Sequence, residues 1–148
     1  AALAAGAHHA LAPGADLKER VLALTDGHGA DIVFDPVGGD AFDAAIRTLA
    51  WGGRYLVVGF AAGRIPTLRV NRALIKGISV IGVRAGEHVR QNPERGPIIR
   101  AAVDALAAAG KLTPRIHAAL PLAQAGEALR LLDNRAVIGK VVLFNRES

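Results

Sequence analysis

Residues 30–63 read ADIVFDPVGGDAFDAAIRTLAWGGRYLVVGFAAG, and this stretch decides the fold. Ile32-Val33-Phe34 is an uninterrupted apolar run, the pattern of a strand whose sheet is covered on both faces. Asp35-Pro36-Val37-Gly38-Gly39 turns the chain. Asp40 stands where a helix cap is expected, and Phe42, Ala45, Ile46 and Leu49 follow at the spacing of a buried helical stripe. Gly52-Gly53 marks that helix's end, through the left-handed conformation that glycine adopts cheaply. Tyr55-Leu56-Val57-Val58 is a second apolar run, closed by Gly59. Strand, helix and strand make one βαβ unit, and in such units ligands bind where the strands end.

The pattern continues on both sides. The first residues, AALAAGAHH, read as the last turn of a helix stopped at Gly6, so the chain is expected to be a fragment. His9-Ala10-Leu11 is a candidate strand, and Pro13-Gly14 a turn. Asp16, with Glu19 three residues on, predicts a capping box. Leu17, Val21 and Leu24 then give one apolar helix face. Downstream, a loop holding Pro66 precedes a short helical piece around Leu74, and Ile78 to Val83 is a third apolar strand. Glu87 to Arg95 reads as a polar, exposed loop. Pro97 fits the first turn of a helix, with Ile99, Ala102, Val103 and Leu106 on its apolar face and Gly110 at its end. Residues 116–120 and 141–144 read as strands, and 122–132 as an amphipathic helix. Alternating strands and helices predict an α/β fold with a parallel sheet. A boundary falls near Gly110-Lys111-Leu112-Thr113-Pro114, dividing the chain into 1–112 and 113–148.

Composition narrows the function. Of 148 residues, 51% are hydrophobic and 21% charged, a globular rather than a disordered balance. The formal net charge is +5, but the arginines are dispersed and aromatics are only 4%, which argues against nucleic acid. No apolar run approaches the roughly 20 residues that span a bilayer, and the start lacks signal-peptide character. With no cysteine there is no disulfide and no thiolate metal site, and a reducing, cytoplasmic setting is expected.

Three consecutive strands end alike. The first runs into Asp35-Pro36-Val37-Gly38-Gly39, the second into Gly59-Phe60-Ala61-Ala62-Gly63, the third into Val83-Arg84-Ala85-Gly86. In a parallel sheet these ends line one crevice with little side-chain bulk, where backbone groups can meet the polar edge of a flat ligand. Asp35 reads as a turn cap rather than a proton carrier. Lys140, before the final strand, reads as solvated or as a phosphate contact. The five histidines show no metal-ligand spacing. No serine or cysteine is placed as a nucleophile, so no catalytic and no metal-ligating residue is assigned.

The segments GADIVFDPVGGDAF (29–42), LAWGGRYLVVGFAAGRIPTLRVN (49–71), LIKGISVIGV (74–83) and AVIGKVVLF (136–144), in this order, resemble the quinone oxidoreductase (zeta-crystallin-like) branch of the medium-chain dehydrogenase/reductase superfamily. The resemblance implies a partial Rossmann domain without its first strands, over 1–112, and a C-terminal segment, 113–148, returning to a barrel-like catalytic domain. The barrel and the glycine-rich pyrophosphate loop would lie upstream of Ala1. It also implies NADPH, with NADH as the alternative, and hydride transfer to a quinone, enone or similar electrophile without zinc. A zinc-dependent alcohol dehydrogenase of the same superfamily, or a fragment inactive alone, are the other readings. By resemblance, Pro36, Val37 and Gly38 face the adenosine side of the cofactor. Val57, Val58, Gly59 and Phe60 run beneath the nicotinamide riboside. Val83, Arg84 and Ala85 offer backbone groups to the carboxamide, and Lys140 meets the cofactor phosphates. Pro13 departs from the pattern, standing where relatives often carry an aromatic residue near the phosphate that distinguishes NADPH. The third strand would be the outer one, pairing across a homodimer axis.

Overall fold

The structure, a computed structural model, describes residues 1–145. The chain divides into two compact units, Ala2–Gln91 and Asn92 onward, with Ala1 assigned to the second. The boundary expected near 112 falls inside the second of these units.

The first unit opens with a single 3-10 turn, Leu3–Ala5, stopped at Gly6 as expected, whose N–H donates to the Leu3 carbonyl. Next come α1 (Leu17–Leu24), β1 (Ala30–Asp35), α2 (Gly39–Ala45), β2 (Leu49–Val57), α3 (Asn71–Lys76), β3 (Ser79–Gly82) and α4 (Ala85–Gln91). The three strands form a parallel sheet in the order β1-β2-β3, so β2 is central and β3 lies at an edge. Phe42 and Ile46 of the α2 segment, Leu49 and Tyr55 of β2, and Ile78 ahead of β3 form the buried core. Val33, Val57, Leu68 and Ala73 pack at its margin. The register puts Val33, Asp35, Tyr55 and Val57 on this covered face. Ile32, Phe34, Leu56 and Ile81 share the opposite face. There Ile32 is 49% and Phe34 63% exposed.

Several expectations change. The helix predicted through Leu49 ends at Ala45, and Leu49 is the first residue of β2, paired with Ala30. Leu49 is buried as expected, but from a strand. Gly52-Gly53 does not stop a helix. Between the pairs Ala30↔Leu49 and Ile32↔Arg54, β2 carries extra residues that bulge out. Gly52 sits in that bulge at φ 74°, a conformation costly to other residues. Residues 9–11 form no strand, because none of the three strands pairs with them and an unpaired strand leaves its backbone groups unsatisfied. The Asp16–Glu19 capping box is not made; the Asp16 side chain makes no cap bond and lies 3.9 Å from Arg20. Gly38, not Asp40, caps α2. The loop predicted for Glu87 to Arg95 begins as helix α4, held by Glu87 accepting from Arg90 at 2.6 and 2.8 Å and from Gln91 at 2.8 Å.

The second unit holds α5 (Arg95–Ala108), β4 (Ile116–Pro121), a 3-10 turn, α6 (Ala125–Asp133) and β5 (Lys140–Phe144). Pro97 lies in the first turn of α5 as expected. β4 and β5 pair in parallel, and α6 packs on them through Ala128, which is 5% exposed. Both parallel sheets agree with the α/β class, and the first unit has the partial Rossmann arrangement.

Candidate functional site

The candidate site is built outward from Asp35, the last residue of β1. Its side chain is buried and accepts three hydrogen bonds. Oδ1 takes the N–H groups of Val37 (2.8 Å) and Gly38 (2.9 Å), which fixes the turn after the strand. Oδ2 takes the Tyr55 hydroxyl at 2.7 Å. Tyr55 is fully buried, with its ring edge-on to Phe42 at 4.9 Å. Burial, then the hydrogen bond and charge of Asp35, push the Tyr55 phenol far above its ordinary range, so it remains a donor. With both carboxylate oxygens engaged, Asp35 is a structural turn cap, as the sequence suggested.

The second strand's turn is tied to the first by backbone bonds. Val58 and Gly59 N–H donate to the Asp35 carbonyl (2.9 and 3.3 Å), Ala61 to Pro36 (3.2 Å) and Ala62 to Val37 (2.9 Å); Gly39 donates in return to Arg64 (3.1 Å). The approach is close enough to dictate residue type. A Cβ on Gly38, at φ 69°, would stand 2.9 Å from the Phe60 ring, and one on Gly59 would stand 3.2 Å from the Pro36 carbonyl. The Arg64 guanidinium bonds Asp40 at 2.9 Å and also Asp43, pinning this loop to α2. The third strand joins through Val83 N–H to the Val57 carbonyl, 2.8 Å, and pairs Gly82 with Val57.

Residues 36–38, 57–60 and 83–85 are thus neighbours along one sheet end. Gly38 is buried, Val57 to Gly59 and Val83 are half-buried, and Phe60, Arg84 and Ala85 are exposed. Arg84 lies 3.9 Å from Glu87. Lys140 belongs to the second unit, where it opens β5 and its N–H donates to the Arg115 carbonyl. Sequence reasoning missed Tyr55 and Arg64. Tyr55 reads as one more apolar strand residue, and its partner is 20 positions away.

The edge of this site is open. Beyond Gly63, Gly82 and Gly86, nothing lies within 4 Å of where a Cβ would stand, and Gly82 and Gly86 have ordinary φ. No strain and no neighbour in the chain demands glycine at 82 or 86, so their effect is to leave bare backbone accessible, as a flat ligand requires. Among the described residues no three His, Cys, Asp or Glu side chains cluster as a metal site.

Residues 1–104 match the family model described as zinc-binding dehydrogenase. The chain belongs to that family. A quinone oxidoreductase-like protein 2 homolog of Nematostella vectensis is 36% identical over 136 residues, 89% of this chain and 36% of that protein. A probable oxidoreductase from Mycobacterium abscessus is 35% identical with TM-score 0.77, over 93% of this chain and 40% of that one. A mycobacterial protein solved as a complex with NADPH is 28% identical with TM-score 0.80, over 94% of this chain and 44% of that one. The zinc-binding dehydrogenase segment described here is therefore of the quinone oxidoreductase branch and corresponds to a C-terminal portion of such proteins. It spans little more than a third of the curated relatives' length. No helix among the described residues is long and apolar enough to cross a membrane.

Proposed function

We propose that the chain is the nicotinamide-binding part of an NADPH-dependent oxidoreductase that passes hydride to a quinone, enone or similar electrophile without zinc. The observation that carries this reading is the adjacency of the three glycine-bearing strand ends. A dinucleotide supplies the hydride when bound. This chain's own residues bind and orient it. The turn at Pro36, Val37 and Gly38, held by Asp35, receives the adenosine side. Val57 to Phe60 pass beneath the nicotinamide riboside. The backbone of Val83, Arg84 and Ala85 meets the carboxamide, and Lys140 serves a cofactor phosphate. The relative complexed with NADPH supports NADPH over NADH. The family's name keeps the zinc-dependent alcohol dehydrogenase as the second reading.

Cytoplasmic placement and a homodimer formed along β3 belong to the same proposal. The strand's free edge and its exposed Val80 and Ile81 suit pairing with a second copy. The 148-residue chain by itself is expected to bind NADPH weakly and to be inactive, because the pyrophosphate loop supplies much of a dinucleotide's affinity.

The test is turnover by the full-length protein. NADPH oxidation with a quinone acceptor, undiminished after dialysis against a chelator, is the expected result. Activity only on alcohols with NAD and zinc would overturn it in favour of the second reading. Sedimentation of the full-length protein checks the dimer, and a monomer would contradict it.

A further inference from the structure

The first unit has a second concave site, at the opposite end of the strands from the glycine turns. It is a cavity of about 370 Å³ whose floor is Ile46 and Ile78. Lys18 of α1, Arg47 after α2, and Arg72 and Lys76 of α3 surround it, against a single carboxylate, Glu19. None of Lys18, Arg47 or Arg72 makes an ion pair or side-chain hydrogen bond among the described residues. Lys76 is fixed, its Nζ donating to the carbonyls of Leu49 (2.8 Å) and Arg47 (3.2 Å), which leaves one N–H free. Burial, and then the nearby charge of Lys18, lower the Lys76 pKa. Elsewhere in the unit Arg20, Arg64, Arg84 and Arg90 each have a carboxylate within 4 Å, while Arg54 and Arg69 stand apart from this pocket. Lys76 has a folding role, but Lys18, Arg47 and Arg72 around the same apolar floor are unexplained by folding, since self-repulsion destabilises.

We propose that this pocket binds a small organic phosphate monoester, with the phosphate between the Arg47, Arg72, Lys18 and Lys76 head groups and the organic body on Ile46 and Ile78. Several donors from separate directions suit a phosphate's three terminal oxygens better than a carboxylate's two. The cavity has the volume of a small-molecule site, and no aromatic side chain lines it to stack nucleic-acid bases. It is separate from the proposed cofactor crevice. Lys76 reaches Leu49, the first residue of β2, whereas the crevice begins at Val57, the last. Their partners on β1, Ala30 and Asp35, are five residues apart, which separates those ends by roughly 16 Å.

The experiment is a heteronuclear NMR titration of the 148-residue chain with phenyl phosphate, and separately with inorganic phosphate. Amide shifts centred on Lys18, Arg47, Arg72 and Lys76 are expected, with phenyl phosphate bound about tenfold more tightly than inorganic phosphate through its ring. Arg72→Glu is expected to weaken binding by roughly tenfold or more, and Lys18→Glu, on a different helix, to do the same. Arg100→Glu, in the other unit, should change it by less than about twofold. The proposal is overturned by shifts spread over all basic residues, by shifts centred on 36–38 and 83–85, by equal affinity for the two phosphates, or by equal weakening in Arg72→Glu and Arg100→Glu. Loss of NADPH binding by the full-length protein would not alter the outcome, so the two readings fail separately.

Discussion

The two faces of the three-stranded sheet are made of similar residues and end differently. On one face Tyr55, Val33 and Val57 meet Phe42 and Ile46, and the contact excludes water. On the other, Ile32, Phe34 and Ile81 are just as apolar and stand 40–63% exposed. The strand sequence is thus written for a sheet covered twice, while the local crossover helices supply one cover. Burial of a single large apolar side chain is worth about 1.5–3 kcal/mol, so the bare face represents stabilisation that the unit does not collect by itself.

Matched truncations on the two faces break or sharpen that contrast. Phe42→Ala is expected to cost about 3–5 kcal/mol, which for so small a core should abolish a cooperative urea transition in the chain. Tyr55→Phe comes next. It leaves Asp35 Oδ2 buried without its donor, at a cost of about 1–3 kcal/mol by the same denaturation. In the unsubstituted chain the same hydroxyl has a pH signature, which Tyr55→Phe removes. The folded pKa of Tyr55 lies above the unfolded value of about 10. Its contribution is therefore fully present below that pH and lost as pH rises further. Tyr55 is the only tyrosine, so phenolate absorbance should rise together with unfolding and not before it. Absorbance rising while the chain remains folded would mean that the phenol is not held by Asp35.

Arg64→Ala removes an exposed clamp on Asp40 and Asp43 and should lower the urea midpoint less than Tyr55→Phe does. Phe34→Ala, on the open face, should change the chain's stability by no more than about 0.5 kcal/mol. The same substitution in the full-length protein tests the contrast from the other side. A loss there comparable to Phe42→Ala is expected if an upstream element covers this face.

Much of this was legible in sequence wherever a residue's fate depends on near neighbours. The runs 32–34 and 55–58 read as strands because apolar continuity suffices, and Asp35 read as a turn cap because its acceptors' partners are two and three residues on. Leu49 was misassigned because it extends the helical stripe of Phe42 and Ile46, while its actual partner, Ala30, is nineteen positions back across the sheet. α4 was unreadable as a helix because its support comes from Glu87, Arg90 and Gln91 rather than an apolar face. The strand at 9–11 has the right residues and no partner. The three strand ends of the site were found from their glycines, but the bonds that tie 58–64 to 35–39, and the Tyr55–Asp35 pair beneath them, are long-range and leave no periodic trace.

The most direct test of the whole account is a crystal structure of the full-length protein with NADPH. The nicotinamide carboxamide should lie within hydrogen-bond distance of the Val83–Ala85 backbone, with the riboside over Val57–Phe60. A cofactor bound away from the ends of β1, β2 and β3 would contradict the assignment.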